Sequence, residues 1–202
     1  MDKTINRDSK IEVIKDIQSE KEQKRYSTVL LDPPWPGRYG AERFYETMTM
    51  DQIKNMPISD LVAENAHMWL WAPNNLMGQA IQLMTAWGFT YRNLFVWAKN
   101  RISWGSHLRN ATEIVLFGTR GKCPVKFRSQ QNWMFAPVQD HSHKPEEMYD
   151  VIERVSPGDY LELFARRPRP GWDAWGNEIA SDIVIPGYPV PVYSDKVTKK
   201  ED

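Results

Sequence analysis

The chain has a single cysteine, Cys123, in 202 residues, so no intrachain disulfide can form and a cysteine-based zinc site within one chain is excluded. It has no apolar run long enough to span a bilayer, and its opening MDKTINRDSK is too charged for a secretory leader. It has no net charge, since 26 basic side chains balance 26 acidic ones. A reduced, cytoplasmic setting without a membrane partner is the expectation. What is present is the composition of an ordinary globular domain, 41% hydrophobic and 26% charged. The zero sum hides a local imbalance. Between Arg92 and Arg128 lie eight Lys and Arg residues against one acid, Glu113. Such a stretch is the footprint of a phosphate-bearing partner or, equally on this observation alone, a solvated face.

The order of segments predicts three parts. Residues 1–25 form a charged arm in which Ile5, Ile11, Ile14 and Ile17 recur at weak helical spacing. Residues 26–182 form the globular domain, and residues 183–202 a Pro-rich, then charged tail. Within the domain, apolar runs at Thr28–Leu31, His67–Ala72, Asn93–Ala98, Glu113–Thr119 and Tyr160–Ala165 read as strands. Between them, Thr49 and Gln52 read as a capping box opening a short helix that Pro57 closes. A second helix carries Met77, Ala80, Ile81 and Met84 on one face, with Gly88 past its end. A third opens at Pro145 and presents Met148, Val151, Ile152 and Val155. Strands alternating with helices predict an α/β fold on a mostly parallel, covered sheet.

In such sheets ligands gather beyond the carboxyl ends of the strands. Asp32, Lys99 and Arg166 each follow an apolar run, so three strands are expected to aim polar groups at one edge. Asp32 opens the tetrapeptide Asp32-Pro33-Pro34-Trp35. Asp-Pro alone marks a turn, but two consecutive prolines also remove two N–H donors and leave carbonyl acceptors in a shape held by fixed φ. The complement of such a loop is a group with two N–H donors. The exocyclic amine of a nucleobase is one, and the Trp35 ring offers a face for the base.

With these residues, FYETM (Phe44–Met48), FVWAK ending at Lys99, SHKPEEMYDVIERVSPG (Ser142–Gly158) and LELFARRPRPGWDAWGNE (Leu161–Glu178), the chain resembles the MT-A family of adenine-amino methyltransferases. The blocks stand in that family's order and cover roughly residues 26–180. The resemblance implies S-adenosylmethionine as methyl donor and a Rossmann-like methyltransferase fold in permuted order, catalytic strand early and cofactor strand late. It implies that Asp32 and a proline carbonyl, Pro33 or Pro34, accept the adenine amino hydrogens while Trp35 packs on the base. Lys99 is implied to hold the methionine end of the donor, and Phe164, Arg166, Asn177 and Glu178 its ribose and adenine end. Tyr45, His143 and Lys144 fall in motif blocks on the substrate side. Arg38 and Arg43 are expected to guard the pocket mouth, and Arg101 and Arg109 to meet phosphates.

The implied reaction is direct transfer of the sulfonium methyl to the amino nitrogen of adenine in DNA, in a bacterial or phage-infected cell. A duplex target would have to be flipped out of the stack. RNA adenosine is the alternative substrate, and a non-catalytic nucleic-acid-binding partner subunit the third reading. A homodimer or related partner subunit is a further expectation. No metal is expected, because His141 and His143 have no further ligands nearby in sequence and His143-Lys144 fits the SHKP block instead. Trp69, Trp71 and Trp97 lie in strand runs and are expected in the core.

Overall fold

The computed structural model describes residues 24–37, 47–103, 107–139 and 143–188. The expected arm up to residue 23, the tail beyond Tyr188, and Arg38, Arg43, Tyr45 and His141 lie outside the described residues. The strands are β1 (Tyr26–Leu31), β2 (Val62–Ala72), β3 (Thr90–Ser103), β4 (Asn110–Arg120), β5 (Trp133–Phe135), β6 (Tyr160–Leu163) and β7 (Trp172–Trp175). The helices are α1 (Met50–Lys54), α2 (Ile58–Leu61), α3 (Met77–Ala86) and α4 (Glu147–Val155). The strands form one sheet in the order β5-β3-β4-β2-β1-β6-β7. Among the described strands only β4 is reversed, pairing antiparallel with β2 and β3, and every other pairing is parallel. The early strand β1 lies beside the late strand β6, which is the neighbourhood that a permuted order requires.

Alternation along the strands divides the core between two faces. On one, Val29, Leu31, Met68, Leu70 and Leu116 pack with Ala80, Leu83 and Met84 of α3 and with Ile53, Ile58 and Leu61 of α1 and α2. On the other, Leu30, Trp69, Trp71, Phe95, Trp97, Val115 and Phe117 pack with Met148, Val151, Ile152 and Val155 of α4. Burying each of these α4 side chains contributes roughly 1.5–3 kcal/mol, so α4 is fastened to the sheet by its apolar face. The capping box is present in full: Gln52 N–H donates to Thr49 Oγ1 at 3.1 Å and Thr49 N–H to Gln52 Oε1 at 2.7 Å.

Polar groups inside the frame are matched. His67 is fully buried, and burial lowers its pKa and keeps it neutral. Its Nε2 lies 2.8 Å from the Cys123 carbonyl, which can only accept, so Nε2 carries the proton and Nδ1 accepts from the Ser156 hydroxyl at 2.9 Å. That hydroxyl in turn accepts from Trp69 Nε1.

Three sequence expectations change. β3 runs on to Ser103, so Lys99 lies within a strand rather than at its end. The hairpin with β4 sustains it, Ala98 pairing Thr112 and Ser103 pairing Asn110. Two short strands, β5 and β7, have no long apolar run to announce them and exist because a parallel neighbour supplies their partners. The single helix expected between Thr49 and Pro57 is followed by another turn, α2, beyond the proline.

Candidate active site

β1 ends at Leu31 because Pro33 and Pro34 cannot donate to a ladder. The loop is then tied down at three points. Trp35 N–H donates to the Pro33 carbonyl at 2.8 Å, Met48 N–H to the Pro34 carbonyl at 2.9 Å, and Trp35 Nε1 to the Trp71 carbonyl at 3.0 Å. The expected stacking face of Trp35 is a misreading. Its ring is 1% exposed and belongs to the core beneath the loop, where the indole fastens the turn to β2. The prolines do leave acceptors, but each carbonyl already accepts one backbone N–H, leaving one lone pair apiece for a ligand. The Asp32 carboxylate is the group that projects from this anchored loop into a cleft.

That cleft is lined by Asp32, His143, Lys144, Glu146, Tyr149, Glu162, Phe164, Arg166 and Arg167. β1, β6 and the N-terminal approach to α4 thus converge on it. Lys144 organises one side: its Nζ lies 3.2 Å from Asp32 Oδ2 and 2.8 Å from Glu113 Oε2, and 4.6 Å over the Trp71 ring. Glu113 in turn reaches Lys99 Nζ at 3.1 Å. Lys99 is therefore one step behind the cleft, joined to it by a chain of alternating charges, Lys99–Glu113–Lys144–Asp32. Burial pushes the Glu113 carboxyl up, but Lys144 and Lys99 outweigh it and hold the carboxyl down at about 2. Glu113 is therefore ionised at neutral pH.

The other side is built on β6. Leu163 is followed by Phe164 at φ 66°, a left-handed conformation costly for a bulky residue and typical of strained functional turns. The surrounding backbone enforces it. Ala165 N–H donates to the Trp175 carbonyl at 3.0 Å, and Gly176 packs so closely that a Cβ there would meet the Ala165 carbonyl oxygen at 2.0 Å. The turn brings Arg166 to Glu178 at 3.3 Å, on a half-exposed rim beside Asn177. Arg167 reaches His143 Nδ1 at 2.8 Å. Below them Glu162, with Tyr149 donating to it at 2.8 Å, is pushed up to about 7 by burial, Tyr149 pulling down and the nearby charges of Asp32 and Glu146 pushing up.

Of the residues expected from sequence, Asp32, His143, Lys144, Phe164 and Arg166 share the cleft, and Pro33 and Pro34 shape it. Lys99 and Glu178 are linked to it through salt bridges. Arg101 and Arg109 are exposed on the β3–β4 hairpin, outside the cleft lining. Sequence reasoning missed Glu113, Tyr149 and Glu162. The signals were there: Glu113 is the lone acid of a basic stretch, and Glu162 interrupts the apolar run of β6.

Residues 26–178 match the MT-A70 family, a span from the first residue of β1 to the glutamate paired with Arg166. The chain belongs to the MT-A70 family. It is 26% identical to the Type II methyltransferase M.MunI of a Mycoplasma species, over 91% of each chain. It is 29% identical to the N(6)-adenosine-methyltransferase catalytic subunit METTL3 of Homo sapiens, over 77% of this chain but only 28% of METTL3. The N(6)-adenine-specific methyltransferase METTL4 of Mus musculus is similar at 28% identity, over 77% of this chain and 38% of its own. MT-A70 membership makes this chain a methyltransferase, with S-adenosylmethionine as the methyl donor the family implies and the adenine amino group as the family's target.

Proposed function

We propose that this protein methylates the exocyclic amino nitrogen of adenine in DNA, with Asp32 as the group that receives the amino hydrogens. The observation that carries the reading is the anchored Asp32–Pro34 loop, whose carboxylate enters a cleft already stocked with counter-charges. An amino nitrogen conjugated with a purine ring is a weak nucleophile, and acceptors fixed against both its hydrogens localise its lone pair. Because Trp35 and Trp71 hold the loop beforehand, no reorganisation is required when the base arrives. Asp32 acts first as an electrostatic anchor and takes a proton only after the nitrogen has become cationic.

The charged residues of the cleft suit S-adenosylmethionine, which carries a carboxylate, an ammonium and a sulfonium. Bound there, it supplies an electrophilic sulfonium methyl group. Lys144, a cation in the cleft, suits the carboxylate at the methionine end, which revises the expected role of Lys99 to that of holding Glu113 and so placing Lys144. The Arg166–Glu178 pair on the rim suits a ribose, since a carboxylate can accept from both hydroxyls. The close packing of Gly176 on Ala165 keeps that rim next to Phe164.

The choice of DNA over RNA is supported by the alignment to a Type II methyltransferase over nearly the whole of both chains, where the METTL3 alignment spans about a quarter of that protein. The test is incubation of purified protein with methyl-labelled S-adenosylmethionine and matched single- and double-stranded DNA and RNA oligonucleotides, followed by digestion to nucleosides. Labelled N6-methyldeoxyadenosine is expected. Label confined to RNA adenosine would move the activity to the alternative substrate. No label in any nucleoside, with donor bound, would refute the reading.

A further inference from the structure

Among the described residues β5 is an edge strand of the sheet, and its composition is one that the cleft does not explain. Among the described residues the exposed large aromatics are Phe127, Trp133 and Phe135, all within nine residues of one another in the segment that leads into and forms this strand. Trp133 and Phe135 are 53% and 60% exposed. They stand two residues apart on the outermost strand and therefore on one face, about 6.6 Å apart along it. Met134 between them turns to the opposite face, against the core of Trp97 and Phe95. Their neighbours on β3, Val96 and Ala98, are half-buried, so the two rings stand at the rim of an apolar face. The strand is held rigidly by Val96 N–H donating to Asn132, Ala136 N–H to Ala98, and Asn132 Nδ2 to Leu94.

Charge identifies the partner. The segment from Arg92 to Phe135, which makes up β3, β4, β5 and their connections, has eight basic residues and one acid, and that acid, Glu113, is held between Lys99 and Lys144. The exposed charges of this segment, Arg92, Arg101, Arg109, Lys122, Lys126 and Arg128, are all basic, and solvent-facing aromatic rings in such a segment fit a polymer with planar apolar faces and a polyanionic backbone. Placement agrees. Register carries Ala72 to Ile114, Ile114 to Val96 and Val96 to Trp133, so Trp133 stands at the same end of the sheet as Asp32, which follows Leu31 opposite Leu70, and a strand that reaches both passes over that end from the α3 face to the α4 face. Four strand spacings separate β5 from β1, about 19 Å, the length of about six stacked nucleotides of one strand.

Resting on the methyltransferase reading above, we infer that Trp133 and Phe135 are a stacking platform for unpaired bases of the nucleic-acid strand that flanks the target adenine. The platform acts on affinity for single strands and is indifferent to base identity, because every base has a π face.

The test measures binding of a fluorescein-labelled oligothymidine by anisotropy over a series of salt concentrations. This probe has no adenine, so its binding is independent of whether the cleft methylates anything, and a failure of one reading leaves the other measurable. The variants are Trp133→Ala with Phe135→Ala, and Trp133→Tyr with Phe135→Tyr, which preserves the π faces on an exposed strand. The alanine pair should weaken binding by at least about 30-fold, the loss of two stacked bases. The tyrosine pair should bind within a few-fold of the wild type. Because no phosphate contact is removed, the slope of log affinity against log salt should stay the same in both. Unchanged affinity in the alanine pair would overturn the inference. So would equal losses in the two pairs, which would mean that the strand rather than its rings had been damaged. A shift from dimer to monomer by sedimentation with oligothymidine affinity intact would also overturn it and assign the edge to a second copy.

Discussion

The cleft at the end of β1 and the edge at β5 stand at the same end of one sheet, yet they are built on opposite rules. In the cleft the charged groups are matched to one another: Lys144 is shared by Asp32 and Glu113, Arg166 faces Glu178, and Arg167 reaches His143. The two tryptophans that support its loop, Trp35 and Trp71, are buried props at 1% and 2% exposure. At the edge the aromatics themselves face solvent and cations outnumber acids. A site that aligns reacting atoms needs groups fixed before the ligand arrives. A surface that only holds a strand can leave its contacts open until the strand completes them. The comparison therefore predicts that cleft substitutions act on turnover, whereas edge substitutions act on affinity.

The largest expected effect is at Asp32. Asp32→Ala should lower the transfer rate by about 1000-fold or more while donor affinity, measured by equilibrium dialysis, changes only a few-fold. Parallel losses of both would make Asp32 a donor-binding or folding residue and dissolve the distinction. Lys144→Met should come next. It removes the cation shared by Asp32 and Glu113 and leaves Glu113 with Lys99 alone, so transfer should fall by about 100-fold and donor binding should weaken with it. A rate within a few-fold of the wild type would show that the charge chain is scaffolding.

Smaller effects separate the frame from the chemistry. Glu162 has a proton affinity raised from 4.5 in the free side chain to about 7 in the fold, so the native state binds more protons than the unfolded one across that window. Its contribution to stability is therefore lost as pH rises from 4.5 through 7, and levels off above. Glu162→Gln should keep the contact with Tyr149 and flatten this dependence, with a gain over the wild type at pH 8 of at most about 3 kcal/mol. Urea denaturation at several pH values measures it, and an equal effect of the substitution at pH 4.5 and 8 would contradict the assignment. The smallest effect is at Arg169, which clamps α4 to the β6–β7 connection through Glu146, Asp150 and Glu153. Arg169→Met should cost about 1–2 kcal/mol, measured by the same denaturation.

Much of this was legible in the sequence, and the exceptions have physical causes. The DPPW tetrapeptide located the end of β1 because proline chemistry is local. The face of α4 was readable because amphipathic spacing is local too. Trp35 was misread because a large aromatic after a turn serves equally as a stacking surface or as an anchor, and only the space beneath the loop decides. The strand end expected at Lys99 does not occur because pairing with β4, which prolongs β3, is not encoded in the residues around Lys99. Glu113 and Glu162 were passed over for a similar reason. Their significance comes from Lys144, Tyr149 and Asp32, which lie between 13 and 130 positions away, the nearest being Tyr149 from Glu162 and the farthest Asp32 from Glu162. β5 and β7 are too short to show a period at all.

The central claim is that the methyl group is bonded to the amino nitrogen that Asp32 receives. It is tested most directly by a single turnover with a donor labelled at its methyl carbon and an oligodeoxynucleotide whose adenine is labelled at the amino nitrogen, read by NMR. One-bond coupling between the two labelled atoms, absent from the Asp32→Ala reaction, is the predicted result. A methyl carbon without that coupling, attached to a ring nitrogen, to another base or to the protein, would contradict the account.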